Sequence, residues 1–245
     1  MQPYAADASL AGKLRRRYAR LTHQRPARLG LTRPAVSFTF DDIPESAARN
    51  GAAVLEGHGA RGTFYVCTGL ADREAHMGRF ANATEIADLA ARGHEIGCHT
   101  RDHIDCHRAT NDELLADTGA NVAALTRLGG SARHFAFPYG EVSPRAKAIL
   151  APRYGSLRGV HAGMVHDGSD LNQLPAVGVE GADGEAVARA WIDRAVAGTA
   201  WLILFTHDVR DTPSPWGCTP DALDRLAAHA VAAGCDICTV GDVLG

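Results

Sequence analysis

Val36-Ser37-Phe38-Thr39-Phe40-Asp41-Asp42 is a short apolar run that ends in two adjacent carboxylates, with Ile43-Pro44 behind them. Val36, Phe38 and Phe40 alternate with Ser37 and Thr39, which is strand period, and Pro44 cannot donate to a ladder, so pairing stops near the aspartates. The run predicts a strand leading into a site. Open α/β sheets and barrels carry their chemistry at the carboxyl ends of strands, where loops vary while the strands hold them rigid. Adjacent carboxylates repel unless a cation or a proton lies between them. From this stretch alone, a solvated turn is the competing reading.

Outward from the strand, residues 46–58 have helical apolar spacing closed by Gly57-His58-Gly59. Strand 63–67 follows, then a helix from a capping candidate at Thr84 to Ala91, and strand 95–98. A helix over 111–128 and a strand over 134–137 continue the alternation. Later come helix 185–198, strand 201–205, helix 219–233 and strand 236–240. Strand and helix in turn predict an α/β fold of parallel strands joined by right-handed crossovers. No internal repeat or low-complexity tract interrupts it.

The chain has 245 residues, a length that one α/β barrel fills. An apolar share of 46%, a charged share of 22% and a net charge of -3 suit a soluble enzyme and give no reason to expect a nucleic-acid partner. Six cysteines are too few for a disulfide scaffold of this size and are read as free thiols. Cys235 and Cys238 have CxxC spacing, but no second pair accompanies them and they lie in a strand-like run. No apolar stretch is long enough to span a bilayer and the first 30 residues lack a signal peptide's apolar core, so the expected location is the cytoplasm.

Residues 1–32 read as an extension and linker ahead of a catalytic domain at 33–245. Within the extension Leu10, Leu14, Tyr18 and Leu21 fall on one helical stripe beside four arginines and a lysine. Such a helix can pack on its own domain, pair with a second subunit, or rest on the inner face of an anionic membrane.

His99 and His103 emerge straight after the third strand, at the same end as Asp41 and Asp42. Spacing by four puts both imidazoles on one face if the segment is helical. Two neutral histidines and a carboxylate make a catalytic zinc set with positions left for water and a substrate oxygen.

Thr39-Phe-Asp-Asp42, His99-Thr-x-x-His103, Phe135-Ala-Phe-Pro-Tyr-Gly140 and Leu204-Phe-Thr-His207 together resemble, in order and spacing, the NodB-homology polysaccharide deacetylases, carbohydrate esterase family 4. The resemblance covers about residues 33–245. It implies a distorted (β/α) barrel with fewer than eight regular strands, and metal-dependent N-deacetylation of N-acetylated sugars. It assigns Asp41 as general base, and Asp42, His99 and His103 as metal ligands, with Zn2+ expected and Co2+ as an alternative. It gives Tyr139 an oxyanion-binding backbone N–H within the Pro138-Tyr139-Gly140 substrate motif, and His207 the part of general acid. The residue types suit amide hydrolysis, which needs an activated water, a stabilised oxyanion and a proton for the departing nitrogen.

Three departures limit the carry-over. Ala136 stands where many members have the arginine that holds the base, and Arg133 and Arg158 are the candidates to replace it. Asp167-Gly-Ser-Asp170 keeps the spacing of the family's Asp-x-x-Asp but not its aromatic, and Asp170 is taken as the partner of His207. Ile43-Pro44 replaces the usual glycine after the aspartates, which suggests a subgroup with its own groove. Trp216, on a proline-rich loop beside His207, is a candidate sugar-stacking surface.

The sequence therefore predicts a cytoplasmic, zinc-dependent deacetylase of N-acetylated oligo- or polysaccharide, in an exopolysaccharide such as a holdfast or in its lipid-linked precursor. The rivals are a deformylase or other amidohydrolase of the same superfamily, and a carbohydrate-binding module without catalysis. A binding module has no use for an acid and a base.

Overall fold

The computed structural model describes residues 10–245, so the first residues of the expected 1–32 extension lie outside the described range. All eight residues of strand β1 (Ala35–Asp42) are buried. The alternation in its sequence does not separate a wet face from a dry one. Val36, Phe38 and Phe40 enter the main core, while Ser37 and Thr39 on the opposite face are answered by β1's neighbours. Ser37 Oγ accepts from Trp201 Nε1 at 2.9 Å, and Thr39 Oγ1 donates to the Leu204 carbonyl at 2.9 Å. Buried hydroxyls without such partners would cost about 1–3 kcal/mol each.

Along the chain the other strands are β2 (Thr63–Val66), β3 (Glu74–Ala75), β4 (Gly78–Arg79), β5 (Glu95–Cys98), β6 (His134–Ala136), β7 (Ser156–Arg158), β8 (Val177–Gly178), β9 (Trp201–Thr206) and β10 (Asp236–Ile237). The main sheet runs β7-β6-β5-β2-β1-β9-β8, and β10 pairs with the start of β1. Every pairing in it is parallel, and β3 with β4 forms a separate antiparallel hairpin. Between β7 and β8 no regular ladder closes the ring. Segment 171–176 fills the gap instead: Leu157 N–H donates to Leu171 and Leu174 N–H to Leu157, each at 2.8 Å, and Gly159 N–H to Leu174 at 3.0 Å. The fold is thus the expected distorted (β/α) barrel, with β8 and β10 reduced to two residues apiece.

Helices α1 (Leu10–Leu21), α2 (Ala52–Gly57), α3 (Ala83–Ala91), α4 (Asn111–Arg127), α5 (Pro144–Leu150), α6 (Gly184–Gly198), α7 (Pro220–Ala232) and α8 (Val240–Leu244) complete the described elements. The segment before α2 opens as a π-helical turn, Ala47–Gly51, where a Cβ on Gly51 would lie 2.7 Å from the Phe40 ring. The N-cap of helix α3 is Asn82, not Thr84. Asn82 and Glu85 exchange both bonds of a capping box, whereas the residue three beyond Thr84 is Ala87, which cannot return the bond. α5, β7, β8 and α8 are short elements that the periodicity did not reveal.

The chain between α1 and β1, expected as a linker, is bound to the body. Arg25 N–H donates to Asp170 Oδ1 at 2.9 Å, and the Arg25 guanidinium reaches the carbonyls of Tyr154 and Gly155 at 3.0 and 2.6 Å. Lys147 is fully buried, its Nζ 2.6 Å from Asp170 Oδ2 and 2.8 Å from the Ala19 carbonyl, so one ammonium ties α1 and this chain to the barrel. Removing one member of a buried ion pair leaves the other uncompensated. Lys147→Met is therefore expected to lower the unfolding free energy by about 3–5 kcal/mol, read from the urea midpoint.

Candidate active site

Successive side chains of a strand point to opposite faces, so two adjacent aspartates cannot share a cleft while the strand stays regular. The backbone breaks at Asp42. Its φ is 61°, Ile43 follows at φ 62°, and Ile43 N–H donates back to the Asp41 carbonyl at 2.6 Å in a tight three-residue turn. Left-handed backbone at a β-branched residue costs on the order of 1–3 kcal/mol. This is the position where the resembled family favours glycine. In return both carboxylates line one pocket.

Asp41 is held by Arg158, whose Nη2 lies 2.5 Å from each carboxylate oxygen. Of the two candidate replacements for the missing arginine, Arg158 takes the place; Arg133 is exposed and reaches the Gly245 carbonyl. The guanidinium is fully buried, 5.0 Å from the Tyr65 ring centre and 5.3 Å from that of Phe205. Burial by itself would raise the Asp41 pKa, but Arg158, then His99 and His207, outweigh it and hold the carboxyl below its ordinary range.

Beside it, Asp42 Oδ1 lies 3.1 Å from His103 Nε2 and 3.4 Å from His99 Nε2. His99 Nδ1 is 2.8 Å from the Ala136 carbonyl, which commits the proton to that nitrogen and leaves Nε2 with a lone pair. The helical geometry expected for residues 99–103 is absent. Left-handed turns at Thr100 (φ 62°) and His103 (φ 53°) bring the rings together instead, with centroids 5.2 Å apart. Burial lowers both imidazoles to about 4, so both are neutral near pH 7, and burial raises Asp42.

Cys67, which the sequence did not single out, lies against this group, its Sγ 3.9 Å from Asp42 Oδ1. The ligand atoms of Asp42, Cys67 and His99 lie within 4.8 Å of one another, so these residues can hold a metal ion. The Cys67 thiol, however, donates to the His99 carbonyl at 2.9 Å, and burial pushes its pKa well above the ordinary value. His103 offers a neutral nitrogen close to the same Asp42 oxygen without having to lose a proton. Carboxylate, imidazole and thiol donors suit zinc and neighbouring divalent ions.

Across the pocket, His207 Nδ1 is 3.2 Å from both the Trp216 carbonyl and Glu180 Oε1. The carbonyl is aligned to accept the N–H, and Glu180 Oε1 lies at ion-pair distance from the same nitrogen. Burial works to lower the His207 pKa, but Glu180, Asp42 and Asp41 overcome it and raise the group to about 9.

Asp170, expected beside His207, is held by Lys147 and the backbone N–H groups of Arg25 and Asn172. Its place is taken by Glu180, two residues beyond β8, where no spacing motif marked it. Pro138 is buried and does not line the pocket; Tyr139 and Trp216 do. The Tyr139 backbone is left-handed (φ 60°), and its ring stands 4.4 Å from that of His103.

Trp216 meets the His76 ring edge-on at 5.0 Å. His76 and Met77 sit at the tip of the β3–β4 hairpin, which Arg79 fastens to Glu45 and Glu85 beside the unusual Ile43-Pro44 segment. The Trp216 loop is braced from within. Ser214 N–H donates to buried Asp208 at 2.8 Å, and a Cβ on Gly217 would fall 2.3 Å from the Asp208 carbonyl.

The sequence model of the polysaccharide deacetylase family matches residues 29–152. Three solved structures are similar at the level of fold. The T48 deacetylase with substrate is 20% identical, over 87% of this chain and 91% of that one, with a TM-score of 0.60. A peptidoglycan N-acetylglucosamine deacetylase is 21% identical, over 89% and 90%, with a TM-score of 0.58. A pseudoenzyme of carbohydrate esterase family 4 from Bacillus anthracis is 14% identical, over 90% and 68%, with a TM-score of 0.61. No curated protein sequence matches significantly.

Because the folded-state pKa of Asp41 is depressed, its pairing contributes stability above the ordinary carboxylate value near pH 4, lost as pH falls towards the depressed pKa. Arg158→Met is expected to cost about 3–5 kcal/mol at pH 7 by stranding the carboxylate. The loss should shrink as the pH is lowered and Asp41 takes up a proton. Urea unfolding of both proteins at neutral and mildly acid pH checks this.

Proposed function

Since the chain belongs to the polysaccharide deacetylase family, we propose that it hydrolyses the N-acetyl group of N-acetylated amino sugars, in an exopolysaccharide such as a holdfast or in its lipid-linked precursor. The site of action in this proposal is the cytoplasm, at the inner face of its membrane. No helix among the described residues is long and apolar enough to cross a membrane. The observation that carries the reading is one pocket in which environment drives two titratable groups apart: Asp41 is kept ionised and His207 is raised to about 9. Such separation is how a site assigns a base and an acid. That relatives in fold are described as deacetylases, one of them of N-acetylglucosamine in peptidoglycan, supports the choice of substrate class.

Asp42, His99 and His103 would hold one divalent ion, zinc by preference, through a carboxylate oxygen and two neutral Nε2 atoms. When bound, such an ion polarises an acyl oxygen and lowers the pKa of a coordinated water. Asp41 then accepts the proton of the attacking water, and Arg158 keeps that carboxylate ionised and oriented. Tyr139 supplies a backbone N–H to the oxyanion. His207 gives its proton to the departing nitrogen, its Nδ1–H fixed on the Trp216 carbonyl so that Nε2 is the working atom. Trp216, with His76 against it, offers an aromatic surface to a sugar ring.

Acetate release from oligomeric N-acetylglucosamine, with the metal content of the purified protein, tests this reading. Formate from a formylated amino sugar would move the assignment to a deformylase, and no product with retained sugar binding would make the protein a binding module. Asp41→Asn is expected to keep its metal and lose roughly two to four orders of magnitude in rate, while Asp42→Ala loses the metal itself; equal metal content and turnover in the two would overturn the division of labour.

His207 must be protonated to act, so kcat/KM should fall as pH rises through about 9. Glu180 is the largest of the influences that raise it, against burial that lowers it. Glu180→Gln is therefore expected to move the alkaline limb to lower pH, and a pH–rate profile with an unmoved limb would remove Glu180 from this role.

A further inference from the structure

Helix α1 presents Leu10, Leu14, Tyr18 and Leu21 at 79%, 66%, 60% and 68% exposure. Among the described residues the exposed large hydrophobics number seven, and four of them form this one stripe. The opposite side of the helix is tied down. Ala19 is buried with its carbonyl on Lys147 Nζ, and Arg15 and Arg16 reach Glu141 at 3.5 and 3.8 Å. The stripe is therefore left outside by the way the helix is attached. Arg17 and Arg20 are exposed beside it, and α1 contains no acidic residue, although the chain as a whole is net negative.

We propose that α1 is a docking surface for an anionic lipid bilayer, with its leucines and Tyr18 entering the interface and its arginines meeting the headgroups. A stripe of leucines with an aromatic, bordered by arginine, is the composition of a helix that lies in the membrane plane. A second copy of this chain is a poorer occupant. A twelve-residue helix is roughly 18 Å long and about 10 Å wide, so its outer face falls far short of the roughly 800 Å² per partner that a stable interface buries. Pairing two copies would also oppose two arginine-rich surfaces, whereas an anionic surface answers them. The net-negative remainder of the protein is repelled by the same surface, which favours an orientation with α1 downward.

The attachment gives docking a bearing on the site. Glu141, the residue that Arg15 and Arg16 reach, follows directly on Gly140 in the pocket wall and is two residues past Tyr139. A protein seated on α1 holds this wall next to the headgroup layer, where a glycan carried on a lipid is presented. That purpose rests on the function proposed above, but the docking itself does not.

The test is co-sedimentation of the full chain with vesicles of phosphatidylcholine alone and of phosphatidylcholine mixed with phosphatidylglycerol, alongside sedimentation velocity without lipid. Expected are binding to the anionic vesicles only, weakening as salt rises, and a loss of about tenfold or more in the double variant Leu14→Glu/Leu21→Glu. Arg17→Glu/Arg20→Glu should weaken binding and flatten its salt dependence. All four side chains are exposed, so unchanged circular dichroism and urea midpoints confirm the fold of the variants. No binding to anionic vesicles, binding indifferent to both variants, or a dimer in solution that the leucine variant dissolves would overturn the proposal. Acetate release from a soluble oligosaccharide is scored separately. Acetate without vesicle binding would sink the docking and leave the function standing, and vesicle binding without acetate would do the reverse.

Discussion

Two carboxylates on consecutive residues at the end of a fully buried strand repel each other, and the surrounding structure is arranged so that each has its own set of partners. At a separation of 4 Å the repulsion of two unit charges is about 4 kcal/mol at an effective dielectric of 20, enough to decide whether a domain folds. Asp41 is given Arg158, whose guanidinium is itself enclosed between Tyr65 and Phe205. A left-handed backbone turns Asp42 into the same pocket, towards His99 and His103. One aspartate is thereby matched to a permanent charge and the other to neutral nitrogens that leave room for an exchangeable one. Two identical side chains are thus distinguished by their surroundings alone.

The same solution, backbone strain exchanged for convergence, recurs around the pocket. Asp42, Ile43, Thr100, His103 and Tyr139 all have positive φ without being glycine, and all lie at or just beyond the carboxyl ends of strands of the sheet. A strand or helix can deliver one side chain per turn or per pleat to a given point, so a cluster drawn from adjacent or near-adjacent residues requires irregular backbone. The rigid parallel sheet beneath supplies the over-determination that keeps such turns in place. On the far wall, Asp208 and Gly217 close the loop that presents Trp216, and the Trp216 carbonyl in turn orients His207.

What the sequence made legible was whatever is encoded locally. The apolar run to Asp41-Asp42, the His99–His103 pair and the strand before His207 each announce themselves within a few residues, and strand–helix alternation was enough for the parallel barrel. Long-range choices were not legible. Arg158 was one of two candidates because nothing local says which arginine crosses to a carboxylate more than a hundred positions earlier. Asp170 had a suggestive spacing, but its carboxylate answers a buried lysine on α5. Glu180 had no spacing at all, and Cys67 read as the last residue of a strand. The helical reading of 99–103 failed because left-handed turns at Thr100 and His103 imitate the i, i+4 convergence of a helix without forming one.

The sheet order carries a consequence for synthesis. Strands β1, β2, β5, β6 and β7 are all encoded before residue 160, yet the other edge of β1 is covered along Ala35–Phe40 only by β9, at Trp201–Thr206. A nascent chain that has just delivered β7 therefore holds a half-barrel whose central strand has an open edge and whose inner layer lacks Trp201, Ile203 and Phe205. At translation rates of about 5–20 residues per second this exposure lasts on the order of a few seconds. An uncovered hydrophobic edge is a template for pairing with another chain. What shields that edge during the wait therefore bears on the yield of folded protein separately from the final stability of the barrel, and holdase capacity acts at this stage.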